Sequence, residues 1–337
     1  MSYHPTRAFI LAEIGSTHDG SFGNAICLID AASECGVDAV KFQTHVAEAE
    51  TLPSAPPPAY FQEESRLEYF KRTAFTKQQW LKLKGHAEHR AVVFLSSPFS
   101  IEAVQLLEEI GVTQYKIPSG EVTNLPLLEA VAKTKKPVLL SSGMSSWSEL
   151  DEAVNTIRKH HDRLTLLQCT SEYPCSYERV GLNAMLEMKE RYKLPVGLSD
   201  HTLTNYAAFA AVTLGATVVE KHFTLSRRMH GSDARHSLEP PELAELVQGI
   251  RAVERILSNP VNKDDTAEKL RDLKAIFEKS IVAAIDIPAG ATITPPMLTT
   301  KKPGTGLPPR ALPNVIGKRA VRDIRKDTLL QRDDVMP

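Results

Sequence analysis

Eight short apolar runs recur along the chain, at residues 8–15, 39–44, 92–97, 114–119, 138–143, 164–170, 196–199 and 217–222. Stretches of helical periodicity separate them, at 24–35, 77–89, 101–110, 125–133, 148–160, 183–192 and 205–214, with a last one at 241–257. In that last stretch Leu243, Leu246, Val247 and Ile250 share one stripe of a 3.6-residue repeat. Gly36, Gly111 and Gly215 stand where helices should stop. The apolar runs are continuous rather than alternating, which is the pattern of strands covered on both faces in a parallel sheet. Eight strand–helix units are the number that closes a (β/α)8 TIM barrel. An open doubly wound sheet is the alternative, and no GxGxxG follows the first strand to support it.

The barrel is assigned to residues 1–257, a charged helical linker to 258–279 and a small β-rich domain to 280–337. The linker carries Lys263, Asp264, Asp265, Glu268, Lys269, Arg271 and Asp272, a run whose simplest reading is a solvated face. The tail is broken by Pro and Gly, with strand-like pieces at 281–285 and 291–294. One connection, 45–76, is unusually long for a barrel. It holds Pro53, Pro56, Pro57 and Pro58 with Tyr60, Phe61, Tyr69 and Phe70, and these aromatics favour an ordered lid or interface.

Charge excludes some partners. Forty Lys and Arg stand against 41 Asp and Glu, so no bulk basic field draws nucleic acid or an anionic membrane. The four cysteines form no CxxC pair, and Cys27 and Cys35 read as buried packing or bystander thiols in a reduced, cytoplasmic protein. No apolar run reaches membrane-spanning length, and the first residues lack a signal-peptide core.

Barrel active sites lie at the C-terminal strand ends. Here those ends carry Glu13, Lys41 with Gln43, Ser96 with Ser97, Lys116 with Ser119, Ser141 with Ser142, Thr170 with Ser171, Ser199-Asp200-His201 and Glu220-Lys221-His222. Polar residues surface at strand ends in any barrel. Two lysines and two carboxylates emerging from runs of Val, Ile and Leu need a stronger reason, because buried charges require partners. His201 and His222, on neighbouring strands, can share a divalent ion that keeps open positions for substrate oxygens. That favours Mn2+, with Mg2+ and Co2+ as alternatives, over zinc, which would recruit a third protein ligand. Lys41, Lys116, Ser119, Ser141 and Ser199 offer charge and hydroxyl donors to an oxyanion. A Schiff-base lysine is the other use of such residues.

At these residues the chain resembles the N-acylneuraminate (sialic acid) synthase family. The shared motifs are Ala12-Glu13-Ile14-Gly15 with His18-Asp19-Gly20, Val40-Lys41-Phe42-Gln43, Ser97-Pro98-Phe99-Ser100 and Tyr115-Lys116-Ile117-Pro118-Ser119-Gly120-Glu121. They continue through Leu140-Ser141-Ser142-Gly143-Met144, Gly197-Leu198-Ser199-Asp200-His201-Thr202, Glu220-Lys221-His222-Phe223-Thr224 and Ser237-Leu238-Glu239-Pro240. The tail, with Lys302-Pro303-Gly304-Thr305-Gly306 and Ile316-Gly317-Lys318, resembles the family's antifreeze-like (SAF) domain.

The resemblance implies condensation of phosphoenolpyruvate with an N-acylated amino-sugar aldehyde, with phosphate lost by C–O cleavage. It implies that Lys41, Lys116, Ser119, Ser141, Ser171 and Ser199 bind phosphoenolpyruvate, and that Gln43, Tyr173, Asp233 and Lys302 hold the sugar. It implies catalytic roles for Glu13, Glu220, His201 and His222, the two histidines holding the metal, in a homodimer whose C-terminal domains cap the partner barrels. The chain departs from the family's pattern at Thr17 and Ser171, where Asn is common, and at Lys302, where the family has Arg. An octulosonate- or heptulosonate-forming synthase and a glycan- or ice-binding module are the competing readings.

Overall fold

A computed structural model describes residues 7–56 and 64–336. The chain divides into two compact units, Met1–Asn259 and Pro260–Pro337. In the first, β1 (Phe9–Gly15), β2 (Ala39–Thr44), β3 (Val93–Pro98), β4 (Tyr115–Ile117), β5 (Val138–Ser141), β6 (Leu164–Cys169), β7 (Val196–Asp200) and β8 (Val218–His222) form one parallel sheet. The order is β3-β2-β1-β8-β7-β6-β5-β4, and β3 and β4 lie side by side to complete a (β/α)8 barrel.

The helices start where short polar side chains satisfy their free N–H groups. Ser21 accepts from Asn24 N ahead of Phe22–Glu34, and Ser100 from Ala103 N ahead of Ile101–Ile110. Thr76 with Gln79 and Ser146 with Glu149 form reciprocal capping boxes. Gly111, at φ +73°, ends its helix in the left-handed conformation.

Strand alternation explains how the site arises. Leu11, Ala39, Leu95, Leu139, Leu167 and Val218 pack together in the barrel interior. Two residues further along, the same inward-facing rows present Glu13, Lys41, Ser97, Ser141, Cys169 and Glu220. The interior therefore changes from aliphatic at its base to ionic at its C-terminal mouth. The opposite strand face packs on the helices through a much larger apolar core that includes Ile10, Phe42, Leu140, Leu166 and Leu198.

The connection after β2 holds two helices, Ala47–Glu50 and Arg66–Thr73, and buries Tyr69 and Phe70. Pro57, Pro58, Tyr60 and Phe61 lie outside the described residues. Cys27 is exposed rather than buried, because its position turns to the solvent side of its helix.

The second unit begins with two short helices, Lys263–Lys269 and Arg271–Phe277, in which no side chain is buried. Next, β9 (Ser280–Ala283) pairs antiparallel with β10 (Leu298–Lys301) over a core of Ile281, Ala283, Ile287, Ile293, Val315, Ala320, Ile324 and Leu330. The expected strand at 291–294 is reduced to one isolated bridge, Thr292 to Arg319. Gly290 at φ +79° and the turn Pro295–Met297 confine it on both sides. Among the described residues no helix is long and apolar enough to cross a membrane.

Candidate active site

A cavity of about 380 Å³ opens at the C-terminal ends of the barrel strands. Thirteen of the fourteen residues given substrate, catalytic or metal roles above line it: Glu13, Lys41, Gln43, Lys116, Ser119, Ser141, Ser171, Tyr173, Ser199, His201, Glu220, His222 and Asp233. Lys302 belongs to the other unit, where its Nζ lies 4.9 Å from the centre of the Phe277 ring.

Register brings the charges together. Glu13 stands beside Lys41 on one neighbouring strand and beside His222 on the other, and Glu220 beside Ser199. Lys41 Nζ is 2.7 Å from Glu13 Oε2 and 3.9 Å from Glu220 Oε1, and donates to Ser97 Oγ at 3.3 Å. Glu220 Oε1 also accepts from Ser199 Oγ at 2.9 Å and lies 3.5 Å from Lys116 Nζ. Gln43 Nε2 donates to Glu13 Oε1 at 2.8 Å.

The two carboxylates respond oppositely. Burial raises the pKa of Glu13; the Lys41 charge is the next influence and lowers it, with help from Gln43, but burial together with the Glu220 charge prevails. Burial also penalises ionised Glu220, but Lys116, Lys41 and the Ser199 hydroxyl outweigh it and hold the group at about 2. Lys116 is pushed down by burial, with Glu220 opposing, whereas at Lys41 the two carboxylates overcome burial and push it up. Glu220 Oε2 and Ser141 Oγ are buried without a hydrogen-bond partner among the described residues. Groups left unsatisfied beside two lysines mark a place built for a ligand.

Serine hydroxyls converge on one glycine. A methyl group on Gly143 would lie 2.4 Å from Ser171 Oγ, 2.5 Å from Ser119 Oγ and 2.9 Å from Cys169 Sγ. Gly143 N donates to Ser119 Oγ at 3.0 Å. Hydroxyls, a backbone N–H and ammonium groups together are the donor set for a phosphate or carboxylate.

His201 and His222 face each other with ring centres 5.4 Å apart, and Tyr173 packs 4.1 Å from the first and 5.8 Å from the second. His201 Nδ1 lies 2.8 Å from the Thr170 carbonyl, so this nitrogen carries the hydrogen and Nε2 keeps its lone pair. His222 Nδ1 is buried without a hydrogen-bond partner among the described residues, and burial lowers this imidazole to about 4, leaving it neutral at physiological pH. Burial likewise disfavours a charged His201, but contacts with Cys169 and the Thr170 carbonyl prevail and raise it. No group of three His, Cys, Asp or Glu side chains able to hold a metal occurs among the described residues. Two imidazoles with the remaining positions left to oxygen ligands fit a hard divalent ion better than structural zinc.

Surrounding contacts fix these groups. The fully buried Lys221 Nζ donates to Asp200 Oδ2 at 2.9 Å and to the carbonyls of Thr202 and Thr204 at 2.5 and 3.0 Å. This ties the loop after His201 to the residue preceding His222. Thr17 donates to the Ile14 and Phe223 carbonyls, so its hydroxyl has a structural use. Asp233 Oδ2 accepts from Ser16 N at 3.1 Å. It lies so near Gly15, at φ +53°, that a side chain there would strike it.

The cavity also takes in His45, Arg66, Tyr69, Phe70, Phe99, Met144 and Cys169, which the strand-end reading did not assign to the site. Cys169 ends an inward-facing row and could have been found by parity. The others come from loops and the connection after β2, where periodicity carries no information.

Fold and cavity define a barrel enzyme with a two-lysine, hydroxyl-lined floor beside a pair of histidines. Residues 28–262 match the NeuB family, and residues 278–336 match the SAF domain. A relative from Campylobacter jejuni, N,N'-diacetyllegionaminic acid synthase, is 38% identical over 96% of this chain and 99% of its own. N-acetylneuraminate-9-phosphate synthase of Mus musculus is 36% identical over 98% and 93% respectively. The crystal structure of an N-acetylneuraminic acid synthetase from Leptospira borgpetersenii superposes with a TM-score of 0.70 at 32% identity, covering 80% of this chain and 92% of that one. The chain belongs to the NeuB family of sialic and related nonulosonic acid synthases.

Proposed function

We propose that this enzyme, a cytoplasmic homodimer, condenses phosphoenolpyruvate with the open-chain aldehyde of an N-acylated amino sugar, giving a nonulosonic acid and phosphate. The observation that carries this reading is the buried pair Lys41 and Lys116 beside the hydroxyls gathered around Gly143. Such a site suits a small substrate bearing both phosphate and carboxylate. In this reading Ser119, Ser141, Ser171 and Ser199 complete its binding, and Gln43, Tyr173 and Asp233 hold the sugar.

C3 of the enol attacks the sugar aldehyde, leaving positive character at C2. Glu220, ionised by its lysine neighbours, faces that charge and takes a proton from the water that adds at C2. The tetrahedral intermediate then expels phosphate by C–O cleavage. Glu13, whose pKa burial raises, gives a proton to the aldehyde oxygen as it becomes the new sugar hydroxyl. His201 and His222 would hold the divalent ion, Mn2+ foremost. When bound, that ion polarises the aldehyde oxygen as a Lewis acid.

The test is release of phosphate from phosphoenolpyruvate labelled with 18O at the bridging position. It is run with N-acetylmannosamine, its 6-phosphate and 2,4-diacetamido-trideoxyhexoses. Label recovered in phosphate, together with a nine-carbon acid, is the expected result. No sugar-dependent phosphate, or label left in the organic product, overturns the reading. The legionaminic and pseudaminic precursors are separated from N-acetylmannosamine by the kcat/KM ranking in the same panel.

A further inference from the structure

From the contacts of His45 we infer that it is a positioning residue: it holds the Gln43 amide in the one orientation that serves the sugar site. It rests on the reading of Gln43 as a sugar contact. The imidazole of His45 is stacked between two rings, Phe70 at 3.8 Å and 9°, and Phe99 at 4.3 Å and 23°. Its edge cannot tilt between them, so its two nitrogens point in fixed directions. Nδ1 lies 2.6 Å from Glu50 Oε1, and Nε2 lies 3.2 Å from Gln43 Oε1.

The orientation of Gln43 follows from its other end. Its Nε2 donates to Glu13 Oε1 at 2.8 Å, and the end facing His45 is the carbonyl. His45 Nε2 therefore donates to the Gln43 carbonyl, while Nδ1 donates to the Glu50 carboxylate, which accepts. The result is a chain that starts at His45, anchored on Glu50 on one side and running through Gln43 to Glu13 on the other, reaching from the connection after β2 to the floor of the cavity. Without the His45 donor the Gln43 carbonyl loses its partner and the amide is free to rotate. The second N–H of Gln43, which the chain leaves available, then no longer has a fixed direction. Phe70 belongs to the helix Arg66–Thr73 and Glu50 to Ala47–Glu50, so packing of this connection is read out at Gln43.

His45→Asn and His45→Gln separate this role from a structural one. Both lose the ring stack. Asn keeps an amide nitrogen near the position of Nδ1 and cannot reach Gln43, whereas Gln places an amide nitrogen near the position of Nε2. The expected result is a sugar KM about fivefold to tenfold higher in His45→Asn than in His45→Gln, the step that one lost hydrogen bond gives. KM for phosphoenolpyruvate should agree within about twofold between the two. His45→Phe, which keeps the stack and has no donor, is the reserve if either is not recovered folded, and should behave as His45→Asn. Equal sugar KM in the Asn and Gln variants, or sugar and phosphoenolpyruvate KM rising in step, overturns the assignment. A wild type that releases no phosphate with any sugar overturns the proposed reaction instead, and this inference with it.

Discussion

Two glutamates separated by one lysine show how residues of one type acquire different work. Glu13 and Glu220 share Lys41, but Glu220 has Lys116 and Ser199 as well, and this difference drives their pKa values apart. Glu220→Gln keeps the volume and removes the charge. It should lower kcat by ~10²–10⁴-fold and also lower Tm, because buried Lys116 loses its carboxylate partner, and kcat within threefold of wild type in the folded variant would remove Glu220 from the chemistry. His18 gives a prediction about stability. It is buried, its Nδ1 accepts from Gly20 N at 3.0 Å, and burial lowers it to about 4, against weaker opposition from Asp19 and Asp233. The fold therefore prefers neutral His18. Its stabilising share is fully present above the usual histidine pKa of 6.5 and is lost as pH falls from there to about 4, a loss on the order of 3 kcal/mol. His18→Asn keeps an acceptor near Nδ1 without titrating, so its Tm should fall less steeply over that window. Parallel Tm–pH curves for the two proteins would refute this. At this scale the sequence revealed the charged strand ends, because ions inside apolar runs are improbable without partners. It concealed His45, Phe70 and Phe99, whose meaning lies in contacts made between loops.

At the scale of elements, the parallel strands were legible because both of their faces are covered, so each appears as an unbroken apolar run. The piece at 291–294 had the composition of a strand without the neighbours to pair it. On the inward row of β7, Gly197 stands where the strands crowd: an added Cβ would meet the Val218 carbonyl oxygen at 2.4 Å and Leu167 Cδ2 at 2.7 Å. The first of these is backbone, so relief requires β7 and β8 to separate. The register that pairs Ser199 with Glu220 and Asp200 with Lys221 lies just beyond. Gly197→Ala should cost about 1–3 kcal/mol by overpacking, seen as a Tm drop of roughly 2–4 °C for each kcal/mol. It should also raise KM for phosphoenolpyruvate as Ser199 and Glu220 move apart. A Tm equal to wild type would mean that this contact is easily relieved.

For the molecule as a whole, the question is what the second unit adds to a barrel that already holds thirteen of the fourteen candidate residues. Each unit has its own apolar core. The barrel should therefore stay folded when the chain ends after Asn259, with its thermal transition kept within a few degrees. The proposed homodimer, in which the C-terminal domain meets the partner's barrel, predicts that this truncated chain is nearly inactive. Lys302 sharpens the test. Its ammonium rests over the Phe277 ring, a contact that a cation makes whether or not a sugar is bound. An arginine there would present a planar fork of donors to an acyl carbonyl, whereas lysine presents a compact, strongly hydrated charge. If Lys302 reaches the sugar, Lys302→Ala raises the sugar KM at constant phosphoenolpyruvate KM, and Lys302→Arg reorders the preferred sugars. If it serves only the Phe277 contact, both variants keep the wild-type sugar ranking and the loss appears in Tm alone. The expected outcome is the first. An active truncated chain, with unchanged rankings in both Lys302 variants, would confine sugar recognition to the barrel.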